Sequence, residues 1–425
     1  MKKAALFALL ALAAVALFSC SKGSGIPKPP SGLYERVLAS QSVSSLTANA
    51  GLIIINGQLD LLARTQPISA GGSPGLMTLT PDRATLLVFD SSQNRVGVVN
   101  TAKESLTGSV QLPGPTTSMV AAITDIGYVA VPTAPLTGSP PGAVLMINLM
   151  TGSIAETISI PGVQTVVANS NGTQLLAFSN DSDAVTVISP LNINTGLPVT
   201  TTVPGFDRPV YGFFNGDAAY ILNCGAQCQG QQASVQILNL GTTPTAGASV
   251  AVDGATMGLI NGSTLFVAGT PPTNNPCTGE TTAAATCGRL DFVDLGSLTV
   301  TGRAVITDGY HMVMSLSVNG QLFIGSTGCT TVGNVNNPQG GEVRGCLSIY
   351  NTTNGMVVIP PDNGDVTDLQ NFTSRDVEYV AEGGNLRVYD TTTDVLLDEE
   401  VEGNTITGTI DINGVVIGVK AIDFF

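Results

Sequence analysis

One short hydrophobic pattern recurs along the chain. A run of alternating or continuous apolar residues, about five long, closes on a small polar residue. It occurs at Gly51–Asn56, Arg95–Asn100, Ala143–Asn148 and Ala184–Ser189, then at Ser234–Asn239, 289–294, 346–351 and Asn385–Asp390. The eight copies are spaced 39 to 57 residues apart. Such runs, rich in Val and Ile and bounded by Gly, Asn, Asp and Ser, predict strands. No long segment after residue 20 places apolar residues at i, i+3, i+4 and i+7, so almost no helix is expected there.

A second marker keeps the same beat. Gly72, Gly114, Gly162, Gly205, Gly254, Gly309, Gly364 and Gly403 each stand between units. The most complete unit shows what lies between the two markers. Met77 to Thr80 is followed by a turn at Pro81-Asp82-Arg83 and an apolar run from Thr85 to Phe89. A second turn leads into Arg95–Asn100, and Leu106 to Leu112 completes four strands, here named a, b, c and d. A repeat of this length built of four strands predicts a β-propeller, in which radial stacking buries faces that a single sheet would expose.

The unit resembles the YVTN-type propeller repeat. Thr80-Pro81-Asp82 matches its first turn, Leu87-Val88-Phe89-Asp90 its second strand and Val96-Gly97-Val98-Val99-Asn100 its third. The resemblance spans about residues 34–425 and implies an all-β fold, with eight blades favoured over seven. Seven would follow if the first unit packed outside the ring. The N-terminal unit lacks a clear strand a. The segment 406–412 reads as an orphan strand a and 415–422 as an extra b-like strand, so both termini are expected to share one blade.

The N-terminus adds a compartment. Lys2 and Lys3 precede an apolar run from Ala4 to Phe18, too short for a comfortable membrane span and typical of an export signal. It ends in Leu17-Phe18-Ser19-Cys20, which resembles the lipobox of bacterial lipoproteins. That resemblance implies a signal peptide at 1–19, lipidation (diacylglycerol, palmitate) on Cys20, and anchoring in the cell envelope. Ser21, rather than Asp, after the cysteine resembles the outer-membrane sorting pattern. Residues 20–33 are rich in Ser, Lys, Gly and Pro and read as a tether; 34–425 would be the propeller. The net charge is −15, and loss of Lys2 and Lys3 takes it to −17. An acidic body disfavours nucleic acid as a partner.

Export also colours the cysteines, because extracytoplasmic compartments oxidise thiols. Apart from Cys20, six remain in local pairs: Cys224 with Cys228, Cys277 with Cys287, Cys329 with Cys346. Each pair lies between strands b and c of units five, six and seven, and three disulfides are expected. Zinc is disfavoured, since the one histidine leaves the cysteines without His partners and no Cys-x-x-Cys pair occurs.

In a propeller the b–c and d–a connections emerge on one face. The b–c segments of units five to seven, and Pro132 to Gly142 of unit three, are long. Beside the glycines of the d–a turns stand Asp207, Arg208, Asp253, Asp308, Tyr310, His311 and Asp365. In register these would ring the channel mouth and make it acidic, suiting a cation, an amine or a sugar; Asp before Gly is also ordinary turn chemistry. His311, with Asp308 and Arg208, is the only constellation that could serve catalysis. The segment 362–368 loosely suggests a calcium loop but lacks the spacing and bidentate Glu of an EF-hand. No phosphate loop, haem motif or dinucleotide fingerprint is placed to work, so no cofactor is expected.

Three functions follow. The favoured one is a non-catalytic, membrane-anchored propeller that presents its stapled face to a protein or glycan. The second is a lactonase-like or lyase-like enzyme with its site at the channel mouth, for which the His311 group would have to suffice. The third is an outer-membrane assembly or scaffold lipoprotein; those propellers usually carry Trp-rich repeats, and this chain has no Trp.

Overall fold

The computed structural model describes residues 28–423 apart from 43–49, 124, 190–197, 273–286, 330–344, 361–363, 398, 402–403 and 407. Cys20, the 1–19 segment, Cys277 and Gly403 lie outside the described residues. Within them the chain forms eight blades of four antiparallel strands, arranged as a closed ring. All eight recurring runs are strand c of their blades.

The reason those runs are so apolar is visible in the burial. Strands b and c lie mid-blade, so both of their faces meet a neighbouring blade. In Thr85–Asp90, strand b of blade 2, Leu86 and Val88 pack towards blade 1 while Leu87 and Phe89 pack towards blade 3. One apolar cluster fills each of the eight blade interfaces. The outer strand d needs only one buried side. Ser153–Ser159 of blade 3 is accordingly polar and largely exposed, with Ile158 turned in.

Blade 1 takes strands b, c and d from the N-terminus (Arg36–Gln41, Gly51–Asn56, Leu61–Leu62) and strand a from the C-terminus (Val419–Ala421). The shared blade is therefore present, but the closing strand differs from the expected one. Thr409–Ile410, inside the segment read as an orphan strand a, pairs instead with Leu386 and Arg387 of strand c in blade 8. Strand d of that blade is only two residues long, Val395–Leu396, and leaves those backbone groups to be satisfied. Ile410 and Ile412 then bury into the interface of blades 8 and 1. The segment read as an extra b-like strand supplies the closure.

The glycine beat has a physical cause. Gly162, Gly205, Gly309 and Gly364 all adopt positive φ, between +62° and +99°, where a β-carbon is disfavoured. Gly254 needs space instead: a Cβ there would lie 2.5 Å from the backbone of Gly269.

Candidate functional site

The eight inner strands enclose a central cavity of about 620 Å³, within the range of small-ligand sites. Its lining comes from the first residues of the inner strands, such as Ser118 and Met119 in blade 3, Thr165 in blade 4 and Met257 in blade 6. Each inner strand starts at a d–a turn. The cavity therefore opens on the d–a and b–c face, where the long loops stand.

Five inner strands carry a bulge at this level. In blade 4 the register passes from Val163↔Ser179 to Thr165↔Phe178, leaving Gln164 unpaired. Val210, Met312 and Thr367 are left out in the same way in blades 5, 7 and 8. In blade 2, Gly75 and Leu76 together oppose the single residue Phe89. Leu76, Gln164, Val210, Met312 and Thr367 all line the cavity, each beside a second lining residue in the next position. A regular strand would send one of each pair to the opposite side; a bulge re-aims it. Of these five, Thr367 falls in the 362–368 run that the sequence singles out; the other four carry no chemical signature.

The lining is mostly hydroxyl, amide, thioether and aliphatic. Several hydroxyls tie neighbouring inner strands together. Thr117 Oγ1 donates to the carbonyl of Gln164 at 2.6 Å, and Thr367 Oγ1 to that of Ile417 at 2.7 Å. Among the described residues, Asp368 and Lys420 are the charged members of the lining, and they pair with each other at 2.7 Å. Enclosure raises the Tyr211 and Tyr310 phenols above their usual value, so both stay neutral donors.

Of the seven residues expected at the mouth, Tyr310 lines the cavity and is 41% exposed. Asp207 is engaged with the blade 5 loop: its carboxylate accepts the backbone N–H groups of Gln231 and Gln232, at 2.9 and 2.6 Å. Arg208 reaches back to Asp181 and Asp183 of blade 4. Asp253 pairs with Arg303, and its N–H donates to the buried Asp291. Asp365 accepts the N–H of Gly328 at 2.8 Å. Asp308 is buried, and its carbonyl accepts the Ser326 hydroxyl.

His311 is wholly buried, with Nε2 2.9 Å from the carbonyl of Thr307. Burial pushes its pKa down to about 4; the Thr307 bond and the Asp308 charge oppose that only in part. Its strand neighbours Tyr310 and Met312 face the cavity, while His311 does not line it.

Around the mouth the loops are joined. Cys224–Cys228 and Cys329–Cys346 are disulfides, with Cα separations of 5.6 and 5.5 Å. Cys287 is also disulfide-bonded; its expected partner, Cys277, is outside the described residues. In blade 5 the bridge closes a short 3-10 turn, Gly225–Cys228. From that turn Gln227 crosses two blade boundaries. Its Oε1 accepts the N–H of Thr270 in blade 6 at 2.9 Å, and its Nε2 donates to the carbonyl of Gly309 at the entry to blade 7, at 3.1 Å. Thr270 Oγ1 donates to the same carbonyl at 2.7 Å. Among the described residues, no group of three or more His, Cys, Asp or Glu is placed to hold a metal ion.

The fold is a shared one. No known protein family and no curated protein matches the chain. Among solved structures, the dihydro-heme d1 dehydrogenase NirN in complex with DHE aligns with a TM-score of 0.60 at 12% identity, over 93% of this chain and 79% of that one. A functionally unknown protein from Desulfotomaculum acetoxidans gives 0.51 at 13%, over 78% and 99%. A putative 6-phosphogluconolactonase from Bacteroides fragilis gives 0.50 at 14%, over 92% and 98%. Identities this low speak for the architecture and leave function to the site itself.

Proposed function

We propose that this chain is an exported lipoprotein, acylated on Cys20, whose YVTN-type propeller binds a protein or glycan at the stapled face without transforming it. The observation that carries the binding role is the Gln227 bridge. It makes the rims of blades 5, 6 and 7 one pre-organised surface beside the cavity, and pre-organisation lowers the ordering cost of association. Against catalysis stands the chemistry of the lining. Among the described residues the lining's carboxylate, Asp368, is paired with Lys420, and the histidine lies buried outside the cavity. General acid–base work needs a titratable group within reach of the substrate.

Two measurements test this reading. Membrane fractionation with palmitate labelling should place the wild type in the envelope and Cys20→Ala in the soluble fraction; an unlabelled, soluble wild type would remove the anchor. Glycan arrays and envelope pull-downs should return a binder whose affinity falls in Gln227→Ala and Tyr310→Ala. Turnover of a lactone by the wild type would overturn the non-catalytic part and favour the enzyme reading. Broad loss of outer-membrane barrels on gene deletion would favour the assembly role.

A further inference from the structure

The geometry points to a fixed orientation: the ring sits with its cavity mouth turned away from the membrane that anchors it. This inference rests on the lipid-anchor reading above and adds the direction in which the binding face looks.

Strand b of every blade starts on the a–b and c–d side, opposite the cavity mouth. The described chain enters the ring at Arg36, the first residue of strand b in blade 1, so it arrives on that opposite side. It is also fastened there. The Ser31 N–H and hydroxyl donate to the two carboxylate oxygens of Glu104, at 2.6 and 2.5 Å. Glu104 belongs to the c–d turn of blade 2, between Arg95–Asn100 and Ser105–Gln111, and its side chain is only 4% exposed. Arg36 holds the same carboxylate at 2.8 Å and the Thr101 carbonyl at 2.8 Å. Leu33 packs against the apolar cluster between blades 1 and 2. The C-terminal strand ends on this side too, where Asp423 takes the remaining Arg36 nitrogens at 2.6 and 2.7 Å.

The reach of the leash decides the orientation. Cys20 lies eight residues before Lys28, and eight residues span at most about 28 Å whatever their conformation. To bring the cavity mouth to the membrane, the leash would have to pass the blade's outer edge and then climb its height. From the c–d turn that holds Ser31, at most about one strand spacing, about 5 Å, remains outward, and a six-residue strand is about 20 Å tall. That path of about 25 Å, before any loop is counted, takes nearly the whole of the greatest reach, whereas the opposite face lies at the foot of the leash. The stapled rim therefore faces the solution side, and its partner comes from beyond the anchoring leaflet, as a soluble or opposite-surface protein or glycan.

Energy transfer to a headgroup acceptor, with the full lipidated chain in vesicles, tests this. A donor dye is placed through a non-natural amino acid in blade 3, either at Met150 in the c–d turn or at Ser139 in the b–c loop; both are exposed. Transfer from position 150 should exceed that from position 139 roughly twofold or more, for labels about 20 Å apart along the strand direction. A Gly/Ser insertion of about 12 residues after Pro27 more than doubles the reach and should shrink the difference while the fold stays intact. Equal transfer from the two sites in the unlengthened chain, or more from 139, would overturn the orientation alone. Recovery of the unlengthened chain in the soluble fraction would overturn the anchor and the orientation together.

Discussion

Lys420 and Asp368, 52 residues apart in the chain, meet across the seam where the ring closes: the Lys420 Nζ lies 2.8 and 2.7 Å from the two carboxylate oxygens. One of those oxygens also accepts the backbone N–H of Val419. Asp368 thus holds both a side chain and the backbone of the strand that completes blade 1. The pair is mostly shielded from solvent, with side chains 20% and 15% exposed, so it is worth more than a surface ion pair. Lys420→Leu should lower stability by about 1–3 kcal/mol, because it leaves a shielded carboxylate unpaired. Replacing both residues with Leu should recover part of that loss. Urea midpoints of Lys420→Leu, Asp368→Leu and the double variant check this; additive losses would mean the contact carries no weight.

The buried titratable groups set a pH profile. Burial pushes Glu378 up to about 8, and the neighbouring Asp368 charge adds to it while Lys420 opposes. Its ordinary value is 4.5, so the folded state holds a proton that the unfolded chain releases between those two values. Stability from this group is greatest at low pH and declines up to pH 8, by at most about 1.4 kcal/mol per unit. His311 acts in the other direction. Its folded value of about 4 lies below the ordinary 6.5, so stability is lost as pH falls through that window. The two slopes oppose each other on the acid side, and a net decline should appear between 6.5 and 8. Glu378→Gln should flatten that decline and raise stability at neutral pH. Denaturation curves at three pH values read it; an unchanged slope in Glu378→Gln would sink the assignment.

Two glycines separated by nineteen positions allow a clean comparison. Gly309 has φ +98°, and a Cβ there would meet the Thr327 carbonyl oxygen at 2.6 Å. Gly328 has φ +62°, and among the described residues nothing lies within 4 Å of where its Cβ would stand. Gly328→Ala should cost about 1 kcal/mol for the left-handed backbone alone. Gly309→Ala should cost about 2–3 kcal/mol, since the turn must also shift. Equal midpoints for the two variants would show that the crowding is relieved without cost.

Disulfide mapping of protein recovered from its native compartment should find Cys224 with Cys228, Cys329 with Cys346, and Cys287 with Cys277. Replacing Cys329 and Cys346 together with Ser should cost up to about 3 kcal/mol for a loop of that length. Free thiols in the native protein would contradict the pairing.

Sequence pattern made the blades legible because the physics there is local. A strand buried on both faces must be apolar throughout, and a turn at positive φ selects glycine, so Val96–Val99 and Gly309 advertise their roles. The closing strand is hard to read from sequence because Val419–Ala421 is only three residues long and is distinguished by its partners, Arg36–Gln41 and Asp368, far away in sequence. The site was the least legible part. Asp207 and Asp365 look like ligands when read beside their glycines, but their carboxylates are used on loop backbone. Gln164 and Val210 carry no chemical signature, and only the unequal pairing of two strands turns them inward.

Those bulges separate two jobs that a regular ladder would merge. At Leu76 and Val210 the side chain still packs on the blade 2–3 and blade 5–6 clusters, and Thr367 is tied to the neighbouring strand. Gln164 and Met312 lie outside the alternation that builds the interfaces, so their identity is not dictated by the neighbouring blade. Those two positions on the pore can therefore change size, polarity or charge while the scaffold keeps its shape. For an engineer or for natural selection, these are the places where a new specificity could be written into this ring at little structural risk.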